Sequence, residues 1–185
     1  MIVTLIVAGE VGFWVLLALA LAARYLLRWR TVSTALLLGL PLIDLVILAL
    51  TLVDLRGGTT ASWTHGLAAS YVGFSIAFGH MMVTWADGHF QHRFAGGPRP
   101  PKPPKYGAAR AAHEWGIFAR TAIAAVITVG LIAGVTWLVG DAERTRALNA
   151  WYQRMGLVTG INLVIAASYT IWPKQEKKEK SPGLL

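Results

Sequence analysis

Residues 117–139 read IFARTAIAAVITVGLIAGVTWLV. This run contains one charged residue, Arg120, and a helix needs about 20 apolar residues to cross the hydrocarbon core of a bilayer. Four other stretches are also longer than 20 residues and contain at most two charged residues each: residues 2–27, 34–55, 61–85 and 148–172. The sequence therefore predicts an all-α polytopic membrane helix bundle with five transmembrane helices.

The composition supports a membrane protein over a soluble one. Of 185 residues, 55% are hydrophobic and 14% are charged, whereas a soluble domain carries about 25% charged residues. A soluble all-α core protein is excluded because five nearly uncharged runs leave too little polar surface to cover them. The chain has no cysteine, which excludes disulfides, thiolate catalysis and cysteine-ligated metals.

The cations predict an orientation. Thirteen Lys and Arg residues lie in or beside the segments that follow spans one, three and five, and three lie in the other two loops. Under the positive-inside rule, the N-terminus is outside and the C-terminus is in the cytoplasm of a bacterial cytoplasmic membrane. Anionic headgroups at the cytoplasmic face account for the net charge of +8, so no nucleic-acid partner is expected.

The sequence divides into a membrane domain, residues 1–173, and a basic tail, residues 174–185, which is predicted to be disordered. Within the first part, the cytoplasmic loop 95–107 contains GGPRPPKPPKYG, which cannot be helical and favours polyproline II. The loop is interpreted as a rigid connector, a docking peptide or a basic strap on lipid headgroups. Residues 87–94 are predicted to extend the third helix, and residues 108–119 to form an amphipathic lead-in with Arg110 and Glu114 at i, i+4.

Polar groups within a span are costly and are default functional candidates. Six stand out: Glu10, Asp44, His65, His80, Arg154 and Asn162. Helical rise places Glu10, His65 and Arg154 in the outer half with Asp54, so an ion pair between Glu10 and Arg154 is predicted, and a hydrogen bond between Asp44 and Asn162. Such groups serve either a proton or ion pathway, or a polar pocket, or they lock the bundle as interhelical pairs.

Span three carries a stripe of seven-residue period, Gly66, Gly73, His80 and Asp87, predicted to face the bundle. The cytoplasmic-end cluster beyond it comprises Asp87, His89, His92, Arg93 and His113. His89 and His92, at i, i+3, are weak candidates for metal ligands, with Asp87 or His113 as a third, and neither a haem nor another cofactor is expected.

Serine hydrolysis has no clear nucleophile in the sequence, since Ser70 and Ser75 are interpreted as packing residues. No Walker, Rossmann, GxSxG or HExxH motif occurs. Two GxxxG motifs, Gly130/Gly134 and Gly156/Gly160, are predicted either to pack helices within the chain or to mediate self-association.

Three segments carry a resemblance: residues 78–94 (FGHMMVTWADGHFQHRF), 103–107 (PPKYG) and 168–174 (SYTIWPK). They are similar to a family of small uncharacterised bacterial multi-pass membrane proteins with about five spans. The resemblance extends over nearly the whole chain. It implies a cytoplasmic-membrane protein and supplies no activity or site residue.

Three functions are compatible with the sequence. The first is a non-enzymatic accessory or scaffold subunit whose loop and tail contact lipid headgroups or a partner membrane protein. The second is a small proton- or ion-coupled transporter or channel that uses Glu10, Asp44 and His80. The third is a metal-dependent membrane-embedded enzyme that uses the cytoplasmic end of span three, with His80, Asp87, His89 and His92. An enzyme is the least favoured of the three.

Overall fold

A computed structural model describes residues 2–174, except for fourteen side chains in the first two helices: residues 2, 3, 5–7, 9, 10, 13, 30, 38, 40, 41, 44 and 47. The basic tail, predicted to be disordered, lies outside the described residues apart from Lys174. Helices, turns and irregular segments make up residues 2–174, and no strand occurs among them. The all-α prediction is confirmed.

Residues 2–174 contain six α-helices: α1 (Ile2–Tyr25), α2 (Arg30–Arg56), α3 (Trp63–Phe94), α4 (Gly107–Val139), α5 (Ala142–Thr145) and α6 (Asn149–Ile171). A 3-10 turn, Arg146–Leu148, joins α5 to α6. The extension of α3 to Phe94 and the start of α4 at Gly107 agree with the sequence analysis. The sequence analysis does not predict the short helix α5, because the segment between the fourth and fifth spans is expected to be a loop.

Helix α3 lies centrally and packs against α1, α2 and α4, while α4 also packs against α6. Apolar side chains point away from the bundle, as Trp137 (81% exposed) and Val126 (71% exposed) illustrate. Three helical stretches among the described residues, Trp63–Phe94, Gly107–Val139 and Ala142–Ile171, are long and apolar enough to cross a membrane, and Trp14–Tyr25 is apolar but shorter. A helical membrane bundle fits this architecture.

The bundle has two distinct ends. The short-loop end contains residues 54–66 and 140–151, and the long-loop end contains residues 24–29, 87–110 and 169–174. The buried apolar cluster lies towards the short-loop end and consists of Leu55, Ala61, Ala69, Ile132, Val135, Leu148, Trp151 and Met155.

Arg144 joins the two loops of the short-loop end. Its guanidinium donates to the carbonyl oxygen of Leu55 and, at 3.3 Å, to that of Thr59. Its own carbonyl accepts from the Ala61 N–H at 2.7 Å. Asp141 fixes α5 by accepting from the Arg144 N–H at 3.1 Å. One of the last carbonyls of α2, that of Leu55, thereby accepts from α5, while those of Val53 and Asp54 accept from the N–H groups of Gly57 and Thr59.

Candidate functional site

His65 and Asp54 come together at the short-loop end, across the loop between α2 and α3. His65 Nε2 lies 3.4 Å from Asp54 Oδ2, and the imidazole is 5% exposed. No hydrogen bond is formed by Nε2, so this contact with Asp54 is electrostatic. On the other side of the ring, Nδ1 accepts from the backbone N–H of Ser62 at 2.9 Å and lies 2.8 Å from Ser62 Oγ. A neutral imidazole that accepts at Nδ1 carries its proton on Nε2, facing the carboxylate.

Arg154 lies beside the same group of residues through an aromatic contact. Its guanidinium carbon is 5.1 Å from the centre of the Trp151 ring, and Trp151 packs against Gly66 and lies 5.8 Å from Trp63, centre to centre. The side chain of Glu10 lies outside the described residues, so the ion pair between Glu10 and Arg154 stays a prediction.

The second predicted polar pair is also untested. Asn162 donates from Nδ2 to the Val158 carbonyl of its own helix at 2.9 Å. The side chain of Asp44 is not among those described. A hydrogen bond from Asn162 to Asp44 therefore stays a prediction.

The seven-residue stripe of α3 contacts a different helix at each of its two glycines. Gly66 contacts Trp151 of α6, and Gly73 contacts Thr128 of α4, whereas His80 is exposed. The prediction that His80 points into the bundle is wrong. A seven-residue stripe drifts by about 20° per repeat, and each neighbouring helix covers only part of the length of α3. His80 falls where no neighbour covers the stripe.

Asp87 ends the stripe and connects α3 to α1. The Tyr25 hydroxyl donates to its carboxylate, and also contacts the Asp87 carbonyl at 3.0 Å, while Arg24 Nε lies 3.2 Å from Oδ1. The Tyr25 ring stacks on Phe90 at 6.0 Å. The sequence does not predict either partner of Asp87, because helical periodicity relates residues of one helix and does not show which residues of α1 lie beside α3.

His89 and His92 are exposed, and the Nδ1 atom of each contacts a backbone carbonyl oxygen. His89 Nδ1 lies 2.8 Å from the Trp85 oxygen, and His92 Nδ1 lies 2.9 Å from the Gly97 oxygen. Within residues 2–174, no three His, Asp or Glu side chains with described positions are grouped as metal ligands. Arg93 and His89 line a shallow groove with Phe90 and Phe94, and His113 is half-buried on α4. The predicted cytoplasmic-end cluster therefore does not converge on one point.

The proline-containing loop is held at both ends. At its start, the Gly97 N–H donates to the Gln91 carbonyl at 3.1 Å, and His92 bonds to the Gly97 oxygen. At its end, the Gly107 N–H donates to the Lys174 carbonyl at 3.0 Å, which ties the loop to the segment after α6. The ammonium of Lys174 lies 5.8 Å from the centre of the Tyr106 ring.

Between these ends, the loop contacts α3 and α4, whereas its cationic side chains are exposed. Pro100 lies against Gly88 of α3, where an added Cβ would be 3.5 Å from Pro100 Cγ. The Pro104 carbonyl accepts from Arg110 at 3.4 Å. Exposure is high for the three cations of the segment: Arg99, Lys102 and Lys105.

Helices α4 and α6 are joined at the same end. Arg110 pairs with the buried Glu114, which confirms the predicted i, i+4 interaction, and its guanidinium carbon lies 4.9 Å from the centre of the Tyr169 ring. Trp115 Nε1 donates to Thr170 Oγ1 at 3.0 Å. These contacts fix the base of the loop to the end of α6.

The four glycines of the GxxxG motifs face open space. A Cβ at Gly130, Gly134, Gly156 or Gly160 would meet no described atom within 4 Å. Packing of these motifs against another helix of the same chain is therefore not observed among residues 2–174. Self-association through them stays a prediction.

Comparison with known proteins shows a clear similarity to a bacterial membrane protein. The chain is 41% identical over 174 residues to the "Uncharacterized membrane protein YmcC" of Bacillus subtilis (strain 168), an alignment that covers 94% of this chain and 93% of the relative. No family model matches the chain, and no solved structure matches it. At this identity and coverage, the chain belongs to the same family of membrane proteins as YmcC.

Proposed function

We propose that this protein is a five-span accessory or scaffold subunit of the bacterial cytoplasmic membrane, with its N-terminus outside and its long-loop end in the cytoplasm. The distribution of cations supports this orientation, because the long-loop end carries most of them. Helices α1 and α2 supply the first two spans, and α3, α4 and α6 supply the other three.

The observation that carries the proposal is the cationic edge of the tethered loop. Polyproline II has three residues per turn and rises about 3.1 Å per residue, so residues three apart share an edge. The prolines of the loop favour this conformation, in which Arg99, Lys102 and Lys105, spaced by three, would share one edge at intervals of about 9 Å. Pro100 and Pro103 share another edge, on which Pro100 contacts Gly88.

A protein partner with an acidic surface fits this edge better than lipid headgroups alone. A mobile basic segment binds anionic lipid as well as a rigid one does, because headgroups rearrange around it. A stiff loop tethered at Gly97 and Gly107 instead holds its cations at fixed spacing, which lowers the ordering cost of binding a surface of matching spacing. We therefore assign the scaffold role to this edge.

Thiol labelling tests the topology. Because the protein has no cysteine, single cysteines at positions 57, 101, 142 and 181 report on one site each. In intact cells, an impermeant maleimide should label positions 57 and 142, and should label 101 and 181 only after lysis. Labelling of 101 or 181 from outside, with 57 and 142 protected, would invert the topology and remove the loop from the cytoplasm.

Crosslinking and co-purification test the scaffold role. The triple variant R99Q/K102Q/K105Q keeps every proline and removes the cationic edge. R146Q serves as a control, because it removes an exposed cation at the opposite end of the bundle. We expect the wild-type protein and the control to retain a stoichiometric partner that the triple variant loses. Recovery of the wild-type chain with anionic lipid alone would reject the scaffold role.

A further inference from the structure

We propose that Ser62 is a nucleophile activated by His65 and Asp54, and that the short-loop end cleaves carboxylic esters at the membrane surface. This activity is separate from the scaffold role, which rests on the opposite end of the bundle. The side chains at positions 62, 65 and 54 are arranged as nucleophile, base and carboxylate, with a hydrogen-bonding distance between the first two and an electrostatic contact between the last two.

The proposed nucleophile and its base lie within hydrogen-bonding distance of each other. Ser62 Oγ lies 2.8 Å from His65 Nδ1, within the 2.6–3.2 Å range of a productive proton transfer. Ser62 is exposed, whereas the imidazole behind it is 5% exposed. A nucleophile therefore faces the surroundings while its base is shielded from water.

The hydrogen bonds of the His65 imidazole define which of its nitrogens carries the proton. The Ser62 N–H donates to Nδ1 at 2.9 Å, which fixes the tautomer whose lone pair faces Ser62. The proton of that tautomer is on Nε2, 3.4 Å from Asp54 Oδ2. When Nδ1 takes the serine proton, the imidazolium gives up the bond from the Ser62 N–H, and Asp54 stabilises the new positive charge. Asp54 is thus a positioning residue.

The N-terminus of α3 offers hydrogen-bond donors for the oxyanion. Ser62 is the residue before α3, which begins at Trp63. The first N–H groups of an α-helix have no partner within it and carry the positive end of the helix dipole. The amides of Trp63 and Thr64 are therefore placed to stabilise negative charge next to the Ser62 hydroxyl.

The chemistry balances without a further reagent. Ser62 Oγ attacks the ester carbonyl as its proton moves to His65 Nδ1, and an Oγ–C bond forms. Collapse of the tetrahedral intermediate breaks the bond to the leaving alcohol, which takes the proton from His65. Water then attacks the acyl-serine with His65 as base, and releases the carboxylic acid and the free hydroxyl. Trp63 is 51% exposed beside the serine and offers an apolar contact to an acyl chain.

The alternative function of these contacts is a helix cap, in which Ser62 and His65 only stabilise the start of α3. A fluorophosphonate probe separates the two, because a cap does not react with it. Attack by Ser62 forms an Oγ–P bond, releases fluoride and leaves a covalent adduct. The purified full-length protein in detergent is treated with the probe, and the adduct is located by peptide mass spectrometry.

We expect one adduct per chain, on Ser62, and release of p-nitrophenol from p-nitrophenyl butyrate. S62A should abolish the adduct, H65Q should lower the labelling rate constant by about 100-fold or more, and D54N should lower it with partial rescue by D54E. S70A, which removes a hydroxyl of α3 that bonds to the Leu67 carbonyl and lies outside this site, should label like the wild type. Folded wild-type protein that forms no adduct, or an adduct that persists in S62A, would leave the cap as the only role.

Discussion

The indole ring of Trp151 occupies the space that a side chain at Gly66 would fill. A Cβ built on Gly66 would lie 2.6 Å from Trp151 Cε2 and closer still to Nε1. Trp151 itself is 5% exposed and belongs to the buried apolar cluster. Close approach of α3 and α6 thus depends on a missing methyl group, as is common between membrane helices.

Gly66→Ala should lower the free energy of unfolding by about 1–3 kcal/mol, the usual cost of an overpacked core position. The loss is measured by SDS-induced unfolding followed by tryptophan fluorescence. Gly130→Ala is the control, because a Cβ at Gly130 meets open space. Equal stability of the two variants would show that the Trp151 indole moves to accommodate the added methyl group without a cost in stability.

Tyr25→Phe should destabilise the contact between α1 and α3. The substitution removes the donor to the Asp87 carboxylate and keeps the ring that stacks on Phe90. The expected loss is about 1.5 kcal/mol, the low end for a bond to a charged group, because Asp87 is partly exposed. Thr84→Val is the control, since its hydroxyl bonds only to the His80 carbonyl of its own turn. A loss in the control as large as that in Tyr25→Phe would contradict this assignment.

Arg144→Met should loosen the short-loop end. Its guanidinium donates to the carbonyls of Leu55 and Thr59, which Met cannot do. Because Thr59 is exposed and the Leu55 carbonyl keeps a 3.4 Å bond from the Gly58 N–H, we expect a loss of about 1 kcal/mol. Faster amide hydrogen exchange in residues 57–62 should accompany the loss of stability. Arg146→Met provides the comparison, because Arg146 is exposed and its ion pair with the exposed Glu143 is long, at 3.9 Å. Unchanged exchange in Arg144→Met would show that the clamp does not hold the loop.

Arg28 adopts a left-handed backbone conformation, with φ of 59°, where the chain turns from α1 to α2. The Trp29 N–H then reaches the Ala23 carbonyl at 2.8 Å and ends the helix. Glycine adopts this conformation without strain, whereas any other L-residue costs about 1 kcal/mol or more. Arg28→Gly should therefore be more stable than Arg28→Ala by about 1 kcal/mol in thermal unfolding, and the comparison cancels the lost charge. The reverse order would exclude strain at this turn.

The sequence by itself determined the elements that depend on local pattern. Long uncharged runs predicted helices in the places where α1 to α4 and α6 occur, since helix formation needs only apolar length and internally satisfied backbone groups. The proline-containing loop was predicted because proline cannot donate a hydrogen bond or continue a helix. The pair of Arg110 and Glu114 followed from the helical period alone.

Contacts between segments distant in sequence were decided only by the tertiary structure. The partners of Asp87, the clamp formed by Arg144 and the exposure of His80 depend on how α3 crosses α1, α4 and α6, which the period of one helix does not specify. Likewise, Ser62 became a candidate nucleophile only when the loop between α2 and α3 brought Asp54 to His65. Periodicity fixes which residues share a face of a helix, whereas packing decides which neighbour, if any, covers that face.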